Sequence, residues 1–421
     1  MELFDHRVFK VGGCVRDEIL GIQPKDIDRV VINSTVEEML GRGFSQVGKD
    51  FPVFIDANGE EWALARTERK IGDGHTSFEV ETSNVSLEQD LRRRDLTINA
   101  MAIDSKGNLH DPFNGYADLK SKTIRHVDAE GFKEDPLRVL RIARFLARWP
   151  EFDVAKETFQ LCSDMAKAGM LKHLTGERVA LEMKKALREV DGMPSRFFYF
   201  LRMVGALEDT FPEIHALIDV PQPYKHHPEG DVFIHTMMVL DQATFETDND
   251  RDDVEWVELV RFCALTHDLG KATSPKDNLP HHYGHEAGGV PIIKAMAERL
   301  ALPNILRDHA IKVARYHTHI HNFMSLKAST IVDMFLDLKH NQNQRILGVL
   351  PLVSMCDSRG RTSFHVNRPY PNCDVATRVL LNLSLIRARD VCTEEELKDV
   401  NKLKNKLRHA MITSVELNRT V

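Results

Sequence analysis

Cysteine is sparse, 6 in 421 residues, and no two cysteines form a C-x-x-C pair. That pattern argues against a disulfide framework and for reduced, mostly buried thiols. No run of about 18 apolar residues occurs, so a membrane-spanning helix is not expected. The N-terminus shows no basic-then-apolar leader, and a cytoplasmic protein with no membrane partner is expected. Internal repeats and low-complexity segments are lacking. An excess of positive charge is lacking too: the formal net charge is −7. Nucleic-acid binding would therefore need a local basic surface. What is present is ordinary for a globular chain, 42% hydrophobic and 28% charged residues. The length exceeds what one compact core takes, so two or more domains are expected. The 20 histidines crowd between 226 and 321, a first indication of a metal site.

The first 125 residues read as mixed α/β. "VFKVGG" predicts a short strand, "CVRDEILG" one or two helical turns and "DIDRVVI" a second strand. "STVEEML" predicts a helix opened by a capping box of Ser34 with Glu37. "FPVFIDANGEEWALART" predicts a hairpin turning at Asn58-Gly59. "SLEQDLRRRD" predicts a helix and "TINAMAID" a returning strand. From about residue 134 the apolar period becomes 3.6. "EDPLRVLRIARFLARW", "GERVALEMKKALREV" and "SRFFYFLRMVGAL" are then successive helices. "PQPYKHHPEGD" (221–231) reads as a linker, and "SPKDNLPHHYGHEAGG" interrupts the helices beyond it.

Two aspartates stand out behind the glycine turn of "KVGGCVRDEILGIQPKDIDRVVI". On a strand, Asp26 and Asp28 project to the same side with Cα atoms about 7 Å apart. Such carboxylates repel, and a divalent cation removes the conflict. Two Mg²⁺ ions held by the pair would activate an attacking hydroxyl and steady a leaving pyrophosphate. Gly12-Gly13 would let backbone N–H groups approach phosphate oxygens, and Arg16 adds charge one turn on. Solvated acids at a strand edge are the plainer reading of D-x-D alone; G-G-x-x-R just upstream shifts the balance toward chemistry.

"VGGCVRDEILG" followed by "KDIDRVV" resembles the head of the class II nucleotidyltransferases, the tRNA CCA-adding enzymes and bacterial poly(A) polymerases with a polymerase-β-like fold. The resemblance continues in order through "VGKDFPVFI", "ALARTERK", "LRRRDLTINAMAID", "DPFNGYADL" and "EDPLRVLRIARF", over roughly the first 220 residues. It implies that Asp26 and Asp28 bind Mg²⁺ and that Gly13, Arg16 and Arg94 contact the incoming nucleotide. Cys14 stands where that family often has alanine, a small-for-small exchange. Asp95 is a candidate third carboxylate.

The helix predicted at 134–148 bears on the same chemistry. Arg138, Arg141, Arg144 and Arg148 fall within roughly a third of its circumference. A solvated face usually mixes Lys with Glu, whereas this stripe is all arginine, whose planar fork suits phosphates and base edges. By the resemblance, Asp135 and Arg138 read the base of CTP or ATP through Watson–Crick-like bonds. Arg141 and Arg144 would bind the nucleotide, chiefly its phosphates.

In the histidine-rich half, His235 lies in an apolar helical pattern, and His267-Asp268 end another before Gly270. Asp357 comes late in "VSMCDSRGR". Further histidines are His281, His282, His285, His317, His319 and His321. A lone histidine on a helix is usually structural, but an ordered His…His-Asp…Asp set suits a first-row divalent ion that acidifies a bound water. The pattern resembles the HD superfamily of metal-dependent phosphohydrolases, with His235, His267, Asp268 and Asp357 as matching ligands and His285 and His317 as weaker candidates. By resemblance the ion is a transition metal, with Ni²⁺, Co²⁺ and Mn²⁺ as candidates, and the activities are 2′,3′-cyclic phosphodiesterase, 2′-nucleotidase and phosphatase.

The expected fold is α+β: a polymerase-β-like head of mixed sheet and helices, then an all-helical body with an HD domain. The expected boundaries are a catalytic head at 1–133, a helical neck at 134–225, an HD domain at 228–360 and a helical tail at 361–421. In the tail, "TEEELKDVNKLKNKLRHAM" reads as a lysine-rich helix, solvated on the plain reading and tRNA-contacting on the other. The expected reaction is template-independent addition of CCA to the tRNA 3′ end from CTP and ATP. A monomer is expected, with a homodimer as the alternative. Two rivals are a poly(A) polymerase on the same head and an HD hydrolase whose head only binds RNA. "VGKDFPVF" stands where poly(A) polymerases carry a more basic stretch, and the HD body also favours CCA addition. Intact Asp26, Asp28, Arg94 and Arg138 argue against an inert head.

Overall fold

The structure, a computed structural model, describes residues 6–47, 53–70, 78–81, 85–250, 252–339, 341, 343–362 and 367–419. Part of "VGKDFPVF" lies outside the described residues. The chain divides into two compact units, Met1–Ile142 with Glu151–Lys172, and Ala143–Pro150 with His173–Val421.

The first unit is built on strands β1 (Val8–Val11), β2 (Arg29–Val31), β3 (Ser45–Val47), β4 (Val53–Ile55), β5 (Glu61–Leu64), β6 (Thr67–Lys70), β7 (Phe78–Glu81), β8 (Ala102–Asp104) and β9 (Leu109–His110). Seven of them form one sheet in the order β3-β4-β5-β2-β1-β8-β9, while β6 and β7 pair separately. Only β2 and β5 run parallel in the large sheet; the other pairs are antiparallel. Side chains alternate across it, as a pleated strand requires. Phe9, Val11 and Val30 fill one core with Leu91 and Ala100. Val31, Phe54 and Leu64 fill another with Met39, and Val8 packs there. Helix Leu87–Arg92 supplies Leu91, and helix Val36–Gly41 supplies Met39.

Several local expectations hold. The hairpin β4–β5 turns at Asn58-Gly59, with Gly59 at φ +83° and the Asp56 carboxylate accepting from Asn58 N and Glu60 N. The helix expected at "SLEQDLRRRD" is Leu87–Arg92, and a capping box of Ser86 with Gln89, which was not expected, opens it. Others need correction. Asp26 and Asp28 are not on a strand. The ladder stops at Lys10 opposite Arg29, because β1 then turns at Gly12 into helix Gly13–Ile19, leaving the residues before Arg29 without a full partner strand. The cap of helix Val36–Gly41 is Thr35, which accepts from Glu38 N; Ser34 instead donates to the Glu38 side chain. "TINA" forms a 3₁₀ turn, Thr97–Asn99, so the returning strand starts only at Ala102.

The second unit is helical. Helices Val232–Thr247, Val254–Thr266, Asn304–His321 and Ile346–Arg359 pack on one another, and His285–Arg299 packs on Asn304–His321. Helix Val254–Thr266 is buried without a break from Val257 to Thr266. An all-round buried helix belongs at the centre of its domain, and its last turn delivers His267 and Asp268 into the interior. "GHEAGG" begins helix His285–Arg299 rather than interrupting the bundle. The tail contains helix Val400–Asn418, capped by Asp399. Among the described residues, no helix is long and apolar enough to cross a membrane. Four cysteines are buried and two half-buried, all as free thiols.

Candidate active sites

In the first unit the glycine turn is where functional groups meet. Gly12 has φ +77°, a conformation that favours glycine. A Cβ there would lie 2.7 Å from Arg94 Nη1 and 3.7 Å from Asp28 Oδ2. Gly12 therefore makes room for Arg94 and Asp28 to approach the same spot. Asp26 and Asp28 are exposed, and the Asp28 carbonyl accepts from Val11 N at 3.1 Å, fixing that loop against the end of β1. Gly13 opens the helix that carries Arg16. Arg94 is set by Asp90, fully buried, whose Oδ2 lies 3.4 Å from Arg94 Nη2 while Oδ1 accepts from Arg93. Arg94 Nε is buried without a hydrogen-bond partner.

Arg16 is 5% exposed, and its guanidinium donates to Asp17 and to Asn99 Oδ1. Asn99 in turn donates to Asp95 Oδ1 at 3.0 Å, and Arg141 Nε donates to Asp95 Oδ2 at 2.8 Å. Burial would push the Asp95 carboxyl up, but Arg141 and Asn99 outweigh it and hold the group at about 2. Both Asp95 oxygens are thus engaged within the protein. No group of three close metal-ligating atoms includes Asp95, Asp26 or Asp28 among the described residues. Two exposed carboxylates suit Mg²⁺, which takes one or two carboxylates and fills its shell with water and substrate phosphate oxygens.

The arginine helix is Leu137–Arg148, opened by Asp135, whose Oδ1 accepts from Leu137 N at 3.1 Å. Arg138 donates to the carbonyls of Gly131 and Arg93. Arg138 and Arg141 belong to the first compact unit, Arg144 and Arg148 to the second. Arg144 Nε donates to Glu182 Oε2 at 2.7 Å, with side chains 11% and 2% exposed, and its guanidinium lies 4.4 Å from the Phe145 ring centroid. The structure therefore does not gather the four arginines on one common partner. Asp17, Asp90, Asn99 and Glu182 were not singled out from sequence. Asn99, four residues after Asp95, was the one with a readable spacing.

In the second unit the histidines converge. His235, His267, Asp268, His317 and Asp357 are each at most 5% exposed. His235 Nε2 lies 3.0 Å from Asp357 Oδ1 and 3.8 Å from Asp268 Oδ2; His267 Nε2 lies 3.2 Å from Asp268 Oδ2. His285 and His317 point Nε2 at Asp268 Oδ1, at 3.4 and 3.6 Å. The orientation of each ring has a cause. The Nδ1 atoms of His267, His285 and His317 lie 2.7 to 3.0 Å from the carbonyls of Ala264, His282 and Ala314. A carbonyl only accepts, so Nδ1 carries a proton in each ring and Nε2 is the atom turned toward the carboxylates. Burial pushes His317 down to about 3, which keeps it neutral. Burial opposes ionisation of Asp268, yet His267 and Lys271 hold it well below the usual carboxylate range.

Two sets of three ligand atoms result, His235-His267-Asp357 and Asp268-His285-His317, each within 4.8 Å. The four predicted ligands come together, joined by His285 and His317. His321 bonds the outer side of Asp357 at 2.7 Å and lies 2.7 Å through Nδ1 from the Tyr370 hydroxyl. His282 is taken by Ser274 and the Pro221 carbonyl, and His281 stacks on Tyr283. His267 Nε2 and both Asp268 oxygens are buried without an aligned hydrogen bond, although Lys271 Nζ sits 2.6 Å from Oδ2 as an ion pair. Buried lone pairs left in this state, on mixed imidazole and carboxylate donors, fit a first-row divalent ion.

The comparisons follow the same division. Residues 8–125 match the Poly A polymerase head domain, 151–218 the Probable RNA and SrmB- binding site of polymerase A, and 232–341 the HD domain. Fold and matches define a nucleotidyltransferase head followed by a helical body with an HD domain. The chain is 46% identical over 389 residues to the multifunctional CCA protein of Pasteurella multocida (strain Pm70), covering 91% of each chain. It is 43% identical over 420 residues to that of Haemophilus influenzae (strain PittGG), covering 98% of this chain and 99% of the relative. The chain belongs to the multifunctional CCA protein family. The fold is also that of a CCA-adding enzyme solved with CTP, at TM-score 0.62 and 21% identity over 98% of this chain and 88% of that one. A Thermotoga maritima CCA-adding enzyme complexed with tRNA gives TM-score 0.63 at 21% identity, with the same two coverages.

Proposed function

We propose that the protein adds C, C and A to the 3′ end of tRNA from CTP and ATP, without a nucleic-acid template, and that its HD body hydrolyses phosphate esters, 2′,3′-cyclic phosphates among them. The observation that carries the first activity is the approach of Arg94 and Asp28 over Gly12. Mg²⁺, held by Asp26 and Asp28, would supply activation of the tRNA 3′-hydroxyl and charge neutralisation at the leaving pyrophosphate. Gly13 leaves backbone N–H groups open to phosphate oxygens, and Arg94 offers its fork beside them. Arg16, locked by Asp17 and Asn99, adds fixed positive charge behind the turn. Asp135 and Arg138 read the base, and Arg141 and Arg144 act on the nucleotide from the same helix.

In the body, His235, His267, Asp268 and Asp357 hold a transition-metal divalent ion, with Ni²⁺, Co²⁺ and Mn²⁺ as candidates, and His285 and His317 lie within reach of it. Such an ion supplies a water acidified toward neutral pH. Asp268 stays ionised beside His267 and Lys271, and the buried His317 ring stays neutral with its Nε2 lone pair free for coordination. The working division is a catalytic head at 1–133, a neck at 134–225 for nucleotide selection and tRNA binding, an HD domain at 228–360 and a tail at 361–421. The enzyme acts in the cytoplasm, as a monomer.

The test is incubation with tRNA lacking its terminal CCA and labelled CTP and ATP. Incorporation of two C and one A is expected. ATP-only tailing would instead assign a poly(A) polymerase, a reading that the similarity to multifunctional CCA proteins disfavours.

A further inference from the structure

The segment 221–231 reads as a linker, yet it delivers a carboxylate to the interior. Glu229 has a side chain only 2% exposed. Its Oε1 lies 2.8 Å from His235 Nδ1 and 3.0 Å from His227 Nδ1. The local sequence explains how it gets there. Asp231 caps helix Val232–Thr247, accepting from Ile234 N at 2.8 Å, and also accepts from Asp219 N. That pins the helix start, and the Asp231 carbonyl takes His235 N. Gly230 has φ +130°, and a Cβ there would sit 3.2 Å from Ile234 Cδ1. This backbone, rarely adopted by other residues, folds Glu229 back over the first helical turn onto the outer edge of the His235 ring.

We propose that Glu229 is the positioning residue for His235: it accepts the Nδ1–H hydrogen bond, fixes the ring plane and leaves Nε2 for the metal. The proposal rests on the HD metal reading above. A carboxylate behind a ligating imidazole also raises the basicity of the coordinating nitrogen. The other four rings are treated differently. Those of His267, His285 and His317 are held by main-chain carbonyls, and that of His321 by the Tyr370 hydroxyl. Of these five, His235 is the one with a carboxylate within hydrogen-bond distance of Nδ1, while Glu286 Oε2 stands 3.6 Å from His285 Nδ1; His227 Nδ1 shares the same Glu229 oxygen.

A metal ion bound between these groups is the competing explanation, since His227, Glu229 and His235 also form a close set. The contacts of 2.8 and 3.0 Å have the lengths of N–H···O hydrogen bonds, and the titration below separates the two: a Co²⁺ ion whose binding is lost with His227→Ala would assign a metal to this set and overturn the proposal.

The test uses the full chain with Asp26→Ala and Asp28→Ala, so that the head carboxylates take up no probe metal. Co²⁺ is titrated into this protein and into versions carrying Glu229→Gln, Glu229→Ala or His227→Ala, with the visible spectrum of the bound ion and the thermal midpoint of the metal-free protein recorded. Glu229→Ala is expected to weaken Co²⁺ binding about 10–100-fold and to change the spectrum. Glu229→Gln, which keeps an acceptor oxygen without the charge, is expected to recover part of both. If Glu229→Ala does not fold, Glu229→Gln decides with a loss near the lower end of that range. Wild-type affinity and spectrum in a folded variant, with only the metal-free midpoint lowered, would assign Glu229 a purely structural role and overturn the proposal. Absence of Co²⁺ binding even with Glu229 intact would remove the metal reading, and the proposal with it.

Discussion

Arg144 and Arg141 are one helical turn apart but answer to different partners. Arg144 is bound to Glu182, with both side chains almost out of solvent. Removing one member of a buried pair costs about 3–5 kcal/mol when the other is left alone; Lys185 Nζ, 3.4 Å from Glu182 Oε1, keeps Glu182 partly paired and sets the cost here at the lower end of that range. Arg144→Ala should therefore lower unfolding free energy by about that much in urea titrations, and its effect on CTP addition should be read at a temperature where the variant is folded. Arg141 is one-third exposed, and its partner Asp95 is 7% exposed. The Asp95 carboxyl sits at about 2 in the folded protein against an ordinary 3.8. A lowered folded value means stability that is present above about pH 4 and lost as pH falls through about 2. Asp95→Asn should cost roughly 2 kcal/mol at neutral pH, and the difference from wild type should vanish toward pH 2. A constant difference across that range would show that the pair is not what depresses the carboxyl. None of this was legible in the arginine stripe itself. Spacing shows which residues share a helix face, but Glu182 reaches Arg144 from 38 positions away, and periodicity carries no information at that range.

At the scale of elements, long patterns were legible and short ones were not. Helices such as Leu137–Arg148 and Gly176–Leu187 follow a 3.6 period over about three turns, and the hairpin at Asn58-Gly59 has a turn that demands those residues. The strand expected to hold Asp26 and Asp28 is only Arg29–Val31, because its extent depends on where a distant partner stops pairing. Placement in a loop has a measurable consequence. Both carboxylates are exposed, so Asp26→Ala or Asp28→Ala should change stability by no more than about 0.5 kcal/mol. The same variants should abolish CTP addition. Retained addition, by contrast, would remove these residues from the catalytic role. The HD ligands were legible because His235, the His267-Asp268 pair and Asp357 form an ordered set on separate helical patterns. Glu229 was not, since it sits among turn-forming residues that resemble any surface loop.

At the scale of the whole molecule, the two sites draw on separate ligands in separate units. His267→Ala or Asp268→Asn should eliminate metal-dependent hydrolysis of 2′,3′-cyclic phosphates while leaving CTP addition close to wild type. Asp26→Ala should do the reverse. Ni²⁺, Co²⁺ or Mn²⁺ should stimulate hydrolysis in wild type but not in the His267 or Asp268 variants. Hydrolysis that survived Asp268→Asn, assayed on one preparation for both activities, would move the hydrolytic site elsewhere. The division between units also runs through the middle of helix Leu137–Arg148, and the first unit takes back Glu151–Lys172. That returning segment is part of the first unit's fabric: Asp153–Val154 pairs with Thr123–Ile124, and Thr158 bonds His126. Meanwhile Ala147 of the excursion accepts from Met193 N. The backbone is stitched rather than laid end to end. A gene split at any one codon between 142 and 173 deprives at least one half of a strand or helix it contains, so the two activities cannot be parcelled into independent polypeptides by a single cut there.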